Sequence, residues 1–321
     1  MKKLLLLIVL LTSIGASAQY NWDYGIKIGA ANYLGDIGGK ELTRRDFVWD
    51  MHLLSTRYAA GAYGRYKFSK RLAVAMNADF IRITDADRLT TNFARRARNM
   101  NFRNNIIELG ARAEITVWYD NDVGNKGFYN PDFKLYLFGG VAGFYHNPQG
   151  QIFKDGEIQY DGFWFDLAPW MTEGQEKPYS NFGLAIPAGL GMYFTFNKQW
   201  RVGWELSWRT TFTDYLDDIS TVFNQPNSTD PLATEFYSQT YQSLIDEINA
   251  SNGAEGDMSL NDFRYWTESQ RSKRGDPTNN DSYLTAQFTV GKLIRGRSNF
   301  YKSKYSYLKT RAGVRRSKAK F

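Results

Sequence analysis

The chain contains no cysteine. That excludes disulfides, thiol chemistry and cysteine-ligated metals. Histidine is almost as scarce: His52 and His146 are the two imidazoles in 321 residues. Past Leu11 there is no apolar run long enough for a membrane-crossing helix, and the mean hydropathy is −0.49. A Gly-x-Ser-x-Gly nucleophile elbow is also missing. Gly189-Leu190-Gly191 lies within a strand pattern, where glycine eases packing, and is no phosphate loop.

What is present begins at the N-terminus. Met1-Lys2-Lys3 is a positive n-region, Leu4–Leu11 an apolar h-region and Ala16-Ser17-Ala18 an A-x-A cleavage site. Residues 1–18 therefore read as a secretory signal peptide, with a mature chain from Gln19. No cysteine follows the cleavage site, which excludes a lipoprotein. Aromatic residues are 16% of the chain, with 21 Tyr and 22 Phe beside 28 Gly. A β-barrel hides its membrane signal in this way: lipid-facing and lumen-facing residues alternate, so no window is hydrophobic on average.

The alternation is explicit. Trp22, Tyr24, Ile26, Ile28 and Ala30 share one face, and Asp23, Lys27 and two glycines the other. The same period-2 pattern runs through Asn105–Tyr119, Phe182–Phe196 and Val202–Phe212. Arg57–Phe68, Leu72–Ile83, Phe133–Tyr145 and Tyr283–Ile294 bring the count to eight. Most of these runs exceed the length of a soluble-sandwich strand and suffice to cross a bilayer at a tilt. The connections alternate too. Ser69-Lys70-Arg71, Asn197-Lys198-Gln199 and Asp120–Asp132 are short or moderate, whereas Leu34–Thr56, Thr84–Asn104, Asn147–Asn181 and Thr213–Ser282 are long. The expected fold is all-β: a transmembrane antiparallel barrel of about eight strands over residues 19–294, with long extracellular loops and short periplasmic turns. A ten-stranded count would follow if Phe163-Trp164-Phe165 formed an extra hairpin.

Inward positions carry Lys27, Arg57, Arg65, Arg112, Lys134 and Arg209 against Asp23, Asp79, Glu108, Glu114 and Glu205. Buried charges must pair, so near-balanced signs predict a salt-bridged plug; a selective pore would show one dominant sign. Along the chain the charge is uneven. From Lys292 onward there are eleven basic and no acidic residues: Lys292, Arg295, Arg297, Lys302, Lys304, Lys309, Arg311, Arg315, Arg316, Lys318 and Lys320. Without these and the two signal-peptide lysines, 27 basic residues face 33 acidic ones. The basic stretch, residues 295–321, reads as a periplasmic docking arm for an acidic partner or anionic headgroups, with a solvated tail as the bland alternative. A periplasmic location speaks against nucleic acid. Tyr301, Tyr305, Tyr307 and Leu308 interrupt the charges and favour ordered docking.

The loop 213–282 is acidic, with a helix expected around Thr240–Ile248. Its opening Thr213-Asp214-Tyr215-Leu216-Asp217-Asp218 lacks EF-hand spacing, so polar capping is the expected role and no metal or other cofactor is assigned. Arg88, Arg95, Arg96, Arg98 and Arg103 in the second long loop are candidates for lipopolysaccharide phosphates. No His-x-Ser pairing lies on a lipid-facing strand edge, so a lipid-modifying hydrolase is not expected.

Several strings sharpen this reading. Asn32-Tyr33-Leu34-Gly35-Asp36 ends the first strand and Thr213–Asp218 the seventh. Gly139–Pro148, Arg103–Leu109 and Gly64–Phe68 lie between them. Together they resemble the PorG-type outer-membrane barrels of Bacteroidota, a family of domain-of-unknown-function barrels, over about Tyr24 to Ile294. The resemblance implies a component of the type IX secretion system, with gliding motility in some species. It implies partners in the periplasmic ring, a PorK-type lipoprotein and a PorN-type protein (GldK and GldN in gliders). No catalytic residues carry over. The alternative is a small pore or ligand-uptake barrel.

Overall fold

The computed structural model describes residues 22–38, 51–90, 92–120, 132–154, 157–197, 199–237, 239–252, 259–264 and 272–294. The expected signal peptide (residues 1–18), residues 121–131, Lys198 and the basic stretch 295–321 lie outside the described residues.

Eight strands form the barrel wall: β1 (Trp22–Leu34), β2 (Arg57–Lys67), β3 (Leu72–Ala86), β4 (Asn101–Asp120), β5 (Asp132–Tyr145), β6 (Phe182–Phe196), β7 (Trp200–Thr211) and β8 (Ser282–Ile294). Each pairs antiparallel with its neighbours in sequence. The ring closes where β1 pairs with β8, from Trp22 opposite Ile294 to Leu34 opposite Ser282. Closure leaves no edge among these strands, so every ladder has a partner without help from water.

The side chains confirm what faces outward. Ile26, Ile28, Leu109, Val141 and Leu184 are each 64–68% exposed on the barrel's outer surface. In water this belt would be a large unpartnered apolar surface; in a bilayer it is the lipid-facing wall. Exposed aromatics bracket it at both ends. Trp22, Phe68, Trp118, Tyr119, Phe196 and Trp200 lie toward the short turns, and Tyr58, Tyr145, Phe182 and Phe212 toward the long loops. Aromatic girdles of this kind sit at the two headgroup levels.

Two details differ from the alternation expected from sequence. On β4 the register shifts between Thr116 and Trp118, so Val117 and Trp118 are both exposed. A bulge inserts one residue and breaks the period there. The Phe163–Phe165 region adds nothing to the wall. Pro148–Gly150 pairs with the protruding start of β4, Phe165–Asp166 pairs with Pro148–Gly150, and Phe153–Lys154 pairs with Glu157–Ile158. These short strands belong to a cap, and the barrel wall stays at eight strands.

The long connections fold over the extracellular mouth. Tyr33, Ile37, Ile83, Phe102, Leu216 and Phe236 share one buried core that joins strand ends to loop segments. Beside it, helix α1 (Phe93–Arg98) and helix α2 (Gln242–Asn252) pack Ala97 against Leu244, Ile245 and Ile248, with Phe263 of α3 (Leu260–Arg264). Asn92 caps α1 through its side-chain oxygen, which accepts from the Arg95 amide at 3.2 Å.

Candidate functional site

The lumen is packed with charge in two layers. In the layer nearer the cap, Lys27 pairs with Asp79 at 2.8 Å and Arg209 with Glu108 at 2.7 Å. Arg209 also lies 3.7 Å from Asp79 and donates to Thr285 Oγ1 at 2.6 Å. The Tyr283 hydroxyl donates to Glu108 at 2.7 Å. In the layer nearer the periplasm, Arg112 donates to both Glu205 oxygens, at 2.5 and 3.0 Å, and lies 3.0 Å from Glu114. Arg65 Nε is 2.6 Å from Glu114, and its outer nitrogens reach Glu205 at 3.5 Å and Asp23 at 3.6 Å. Arg201 pairs with Asp23, and the Tyr136 hydroxyl donates to Glu205 at 2.5 Å.

These charges are almost wholly withdrawn from water, which carries a desolvation cost of several kcal/mol per ion. The barrel offsets it with multiple partners per group and with aromatic faces. The Arg65 guanidinium sits 5.0, 5.1 and 5.2 Å from the ring centroids of Tyr63, Tyr136 and Tyr193. Space for these large groups comes from glycine. A Cβ on Gly61 would lie 2.1 Å from Asp79 Oδ1, and one on Gly191 would lie 2.4 Å from the Tyr136 ring.

The structure brings together Lys27, Arg65, Asp79, Glu108, Arg112, Glu114, Glu205 and Arg209, with Asp23. It does not bring in Arg57 or Lys134. Arg57 is exposed and donates to the carbonyls of Leu54 and Thr56 at 3.3 and 2.9 Å. Lys134 is half-buried at the periplasmic mouth and donates to the Lys70 carbonyl at 3.3 Å. Both have inward parity, but they stand near strand ends, where a long side chain carries its charge out to solvent. Sequence reasoning assigned no role to Arg201, because it started β7 at Val202 rather than Trp200; inward parity from Val202 would have found it. Among the described residues, the paired lumen therefore holds five cations (Lys27, Arg65, Arg112, Arg201, Arg209) and five anions (Asp23, Asp79, Glu108, Glu114, Glu205).

Above this plug the cap has a different polarity. Asp85, Asp87, Glu173, Asp214, Asp217, Asp218 and Asp281 are buried there against Arg98 and Arg274. Arg98 grips Asp87 with two bonds of 2.7 Å and donates to the Asp36 carbonyl at 2.9 Å and the Arg274 carbonyl at 2.5 Å. Arg274 pairs with Glu173 at 3.1 Å and donates to the Phe236 carbonyl at 3.1 Å. The other carboxylates mostly hold loop groups. Asp217 accepts from the Ile37 and Ile219 amides, each at 2.9 Å. Asp218 accepts from Thr172 at 2.5 Å and the Tyr179 hydroxyl at 2.7 Å. Asp281 accepts from the Tyr33 hydroxyl at 2.7 Å and the Leu216 amide at 2.9 Å. Burial pushes the Asp214 carboxyl up to about 8 and the Asp218 carboxyl up to about 6. Asp217 and Asp281 are raised as well, first by burial and then by neighbouring carboxylates, Asp36 for Asp217 and Asp217 for Asp281; Asp36 is raised by burial. The two strings Asn32–Asp36 and Thr213–Asp218 thus meet at the junction that fastens cap to barrel.

The arginines of the second long loop are mostly occupied. Arg98 is buried on Asp87, Arg95 donates to the Gly38 carbonyl at 2.6 Å, and Arg96 reaches Glu247 at 2.5 Å. Arg88 is exposed, its guanidinium 5.4 Å from the Phe153 ring centroid, and Arg103 lies on the outer face of β4. His146 is buried, with Nε2 donating to the Ser180 carbonyl at 3.2 Å and Nδ1 facing the Asn104 amide nitrogen at 3.4 Å. Burial lowers its pKa to about 4, so the ring is neutral. The His52 carbonyl accepts from Asn32 at 2.6 Å.

A closed eight-stranded barrel with a lipid-facing belt, two aromatic girdles and a salt-bridged interior is an outer-membrane β-barrel. Within that class, the chain belongs to the family described as a domain of unknown function, DUF6089, whose model matches residues 1–229. No curated protein matches it. Among solved structures it is similar to OprG from Pseudomonas aeruginosa, at 8% identity and a TM-score of 0.34, over 87% of this chain and 99% of that one. It is also similar to Ail of Yersinia pestis in complex with the heparin analogue sucrose octasulfate (9%, 0.32, 85% and 98%) and to Acinetobacter baumannii CarO2 (12%, 0.26, 83% and 99%). These scores are low, and the barrel rests on the strand register given above.

Proposed function

We propose that the protein is a non-catalytic, positional component of an outer-membrane assembly: a barrel that anchors or organises a periplasmic ring, as PorG-type barrels do in type IX secretion. The observation that carries this reading is the lumen. Its five-to-five ion network fills the interior from wall to wall, and a packed cap covers the outer mouth. A barrel so filled has its surfaces left to work with. The short connections Ser69–Arg71, Asp120–Asp132 and Asn197–Gln199, together with the basic tail, are the elements assigned to ring proteins of the PorK and PorN (GldK and GldN) type.

The test is a native pull-down of tagged protein from detergent-solubilised outer membranes, with and without residues 298–321, read by mass spectrometry. Recovery of a ring lipoprotein and its partner, weakened by the truncation, is the expected outcome. Recovery of neither from a correctly inserted barrel overturns the secretion role. The pore alternative is tested by planar-bilayer conductance, for which the filled lumen predicts no steady current.

A further inference from the structure

Arg82 on β3 and Arg103 on β4 sit on the outer face of the barrel, independent of the lumen and of the periplasmic reading above. In the β3–β4 register Arg82 stands opposite Asn105, two residues from Arg103 on the same face. The two arginines are therefore diagonal neighbours, a spacing of roughly 7–8 Å. Each is aimed by a neutral partner. Arg82 Nε donates to Asn105 Oδ1 at 2.7 Å, and Arg103 Nε donates to Gln149 Oε1 at 2.8 Å. Each also lies against an aromatic face: Arg82 is 5.4 Å from the Tyr58 centroid and Arg103 is 4.3 Å from the Trp164 centroid. Among the described residues neither makes an ion pair with a carboxylate. The Asp166 carboxylate acts on Arg103 through its charge, while its Oδ1 accepts from Asn147 at 2.8 Å and from Gln149 at 2.7 Å.

Two like charges held rigidly side by side are unfavourable unless an anion joins them. Their height on the wall identifies the anion. Asn105 is followed on the same face by Ile107, which stands opposite the girdle residue Tyr145 and is 54% exposed, and then by Leu109 at 65%. Arg82 is preceded on its face by exposed Phe80. The guanidinium pair thus sits directly above the apolar belt, at the headgroup level of the outer leaflet. Phe80 and Ile107 lie beneath it, toward the acyl chains, and the girdle residue Tyr58 stands beside Arg82. We infer that Arg82 and Arg103 form a clamp for the phosphate of a phosphorylated lipid headgroup in the outer leaflet, with the outer nitrogens of both forks as donors.

The test is native mass spectrometry of the full, folded protein in detergent, titrated with bisphosphorylated lipid A, with dephosphorylated lipid A as comparison. Folding of every variant is verified by heat-modifiable gel mobility. The expected result is preferential retention of the phosphorylated lipid, weakened about tenfold or more in Arg82→Gln/Arg103→Gln. Arg82→Lys/Arg103→Lys should retain part of the affinity, and Lys177→Gln, an exposed cap lysine outside the patch, should retain all of it. Equal binding by the double glutamine variant overturns the proposal, as does indifference to the phosphates. Displacement of the lipid by millimolar inorganic phosphate would show a free-anion site and overturn the lipid assignment.

Discussion

The lumen and the cap are both buried and polar, yet they handle charge in opposite ways. In the lumen five cations meet five anions on rigid, mutually bonded strands. In the cap seven buried carboxyl groups face two arginines, so neutralisation there depends on backbone amides, hydroxyls and bound protons. Pairing by ions is insensitive to pH near neutrality and intolerant of deletion. Neutralisation by protons tolerates rearrangement and titrates. The barrel is thus built as a fixed plug, and the cap as a lid whose stability depends on conditions.

The largest expected effect comes from breaking the balance in the lumen. Arg112→Met leaves Glu205 and Glu114 without their main shared cation, with only Arg65 to neutralise both. Removing one partner of a buried pair costs about 3–5 kcal/mol. Urea unfolding in micelles, followed by gel mobility, should register it. The double variant Arg112→Met/Glu205→Met should cost less than the sum of the two singles, because no lone charge is left on that pair. Strict additivity would show that the plug is not held by pairing.

The cap gives the contrasting case. Arg98→Met removes the cation that grips both Asp87 oxygens and leaves the carboxylate with the Gly38 and Met100 amides. The cost should lie at the lower end of the same range, about 3 kcal/mol, since the cap borders water and can relax. Its location should differ too: limited proteolysis should cut the loops while the barrel keeps its folded mobility. Loss of the folded barrel band would mean that cap and wall form one cooperative unit.

Which of these features could be read from the sequence follows from their range. Period 2 is local, so Phe182–Phe196 was legible end to end, as were most of the lumen charges by parity. Parity fails where geometry changes. Arg57 and Lys134 share the inward side of their strands but escape at the mouths, and the β4 bulge puts Val117 and Trp118 on one side together. The cap was not legible, because its bonds join distant segments: Arg274 to Glu173 across 101 residues, and Ile37 to Asp217 across 180. The strings Asn32–Asp36 and Thr213–Asp218 carry the family resemblance, and their physical reason, a shared junction, shows only in the fold.

A third prediction sharpens the contrast by pH. The folded-state pKa of Asp214 is raised from 3.8 to about 8, so the folded cap binds more protons than the open one. For a carboxyl raised on folding, the stability it contributes is fully present below about pH 4 and is lost as pH rises toward about 8. The protection factors of the cap amides, corrected for the intrinsic pH dependence of exchange, should therefore fall from pH 5 to pH 8, while those of the lumen strands should not. Asp214→Asn, which stays neutral, should reduce the dependence. Protection that improves with pH would sink this account of the cap.

The smallest effect belongs to an ion pair of the same chemistry on the exposed surface of the cap. Arg96 and Glu247 meet at 2.5 Å between α1 and α2, with side chains 25% and 64% exposed. Water solvates both partners in the open state almost as well, so the pair should be worth less than about 1 kcal/mol and should weaken in salt. Apolar contacts of Ala97 with Leu244, Ile245 and Ile248 hold the two helices together without it. A double-mutant cycle of Arg96→Ala and Glu247→Ala, read by cap proteolysis at two salt concentrations, measures that coupling. A coupling as large as that of Arg112 with Glu205 would mean that distance alone sets the strength of these pairs. A coupling near zero assigns the difference to burial, the property that separates the lumen from the surface.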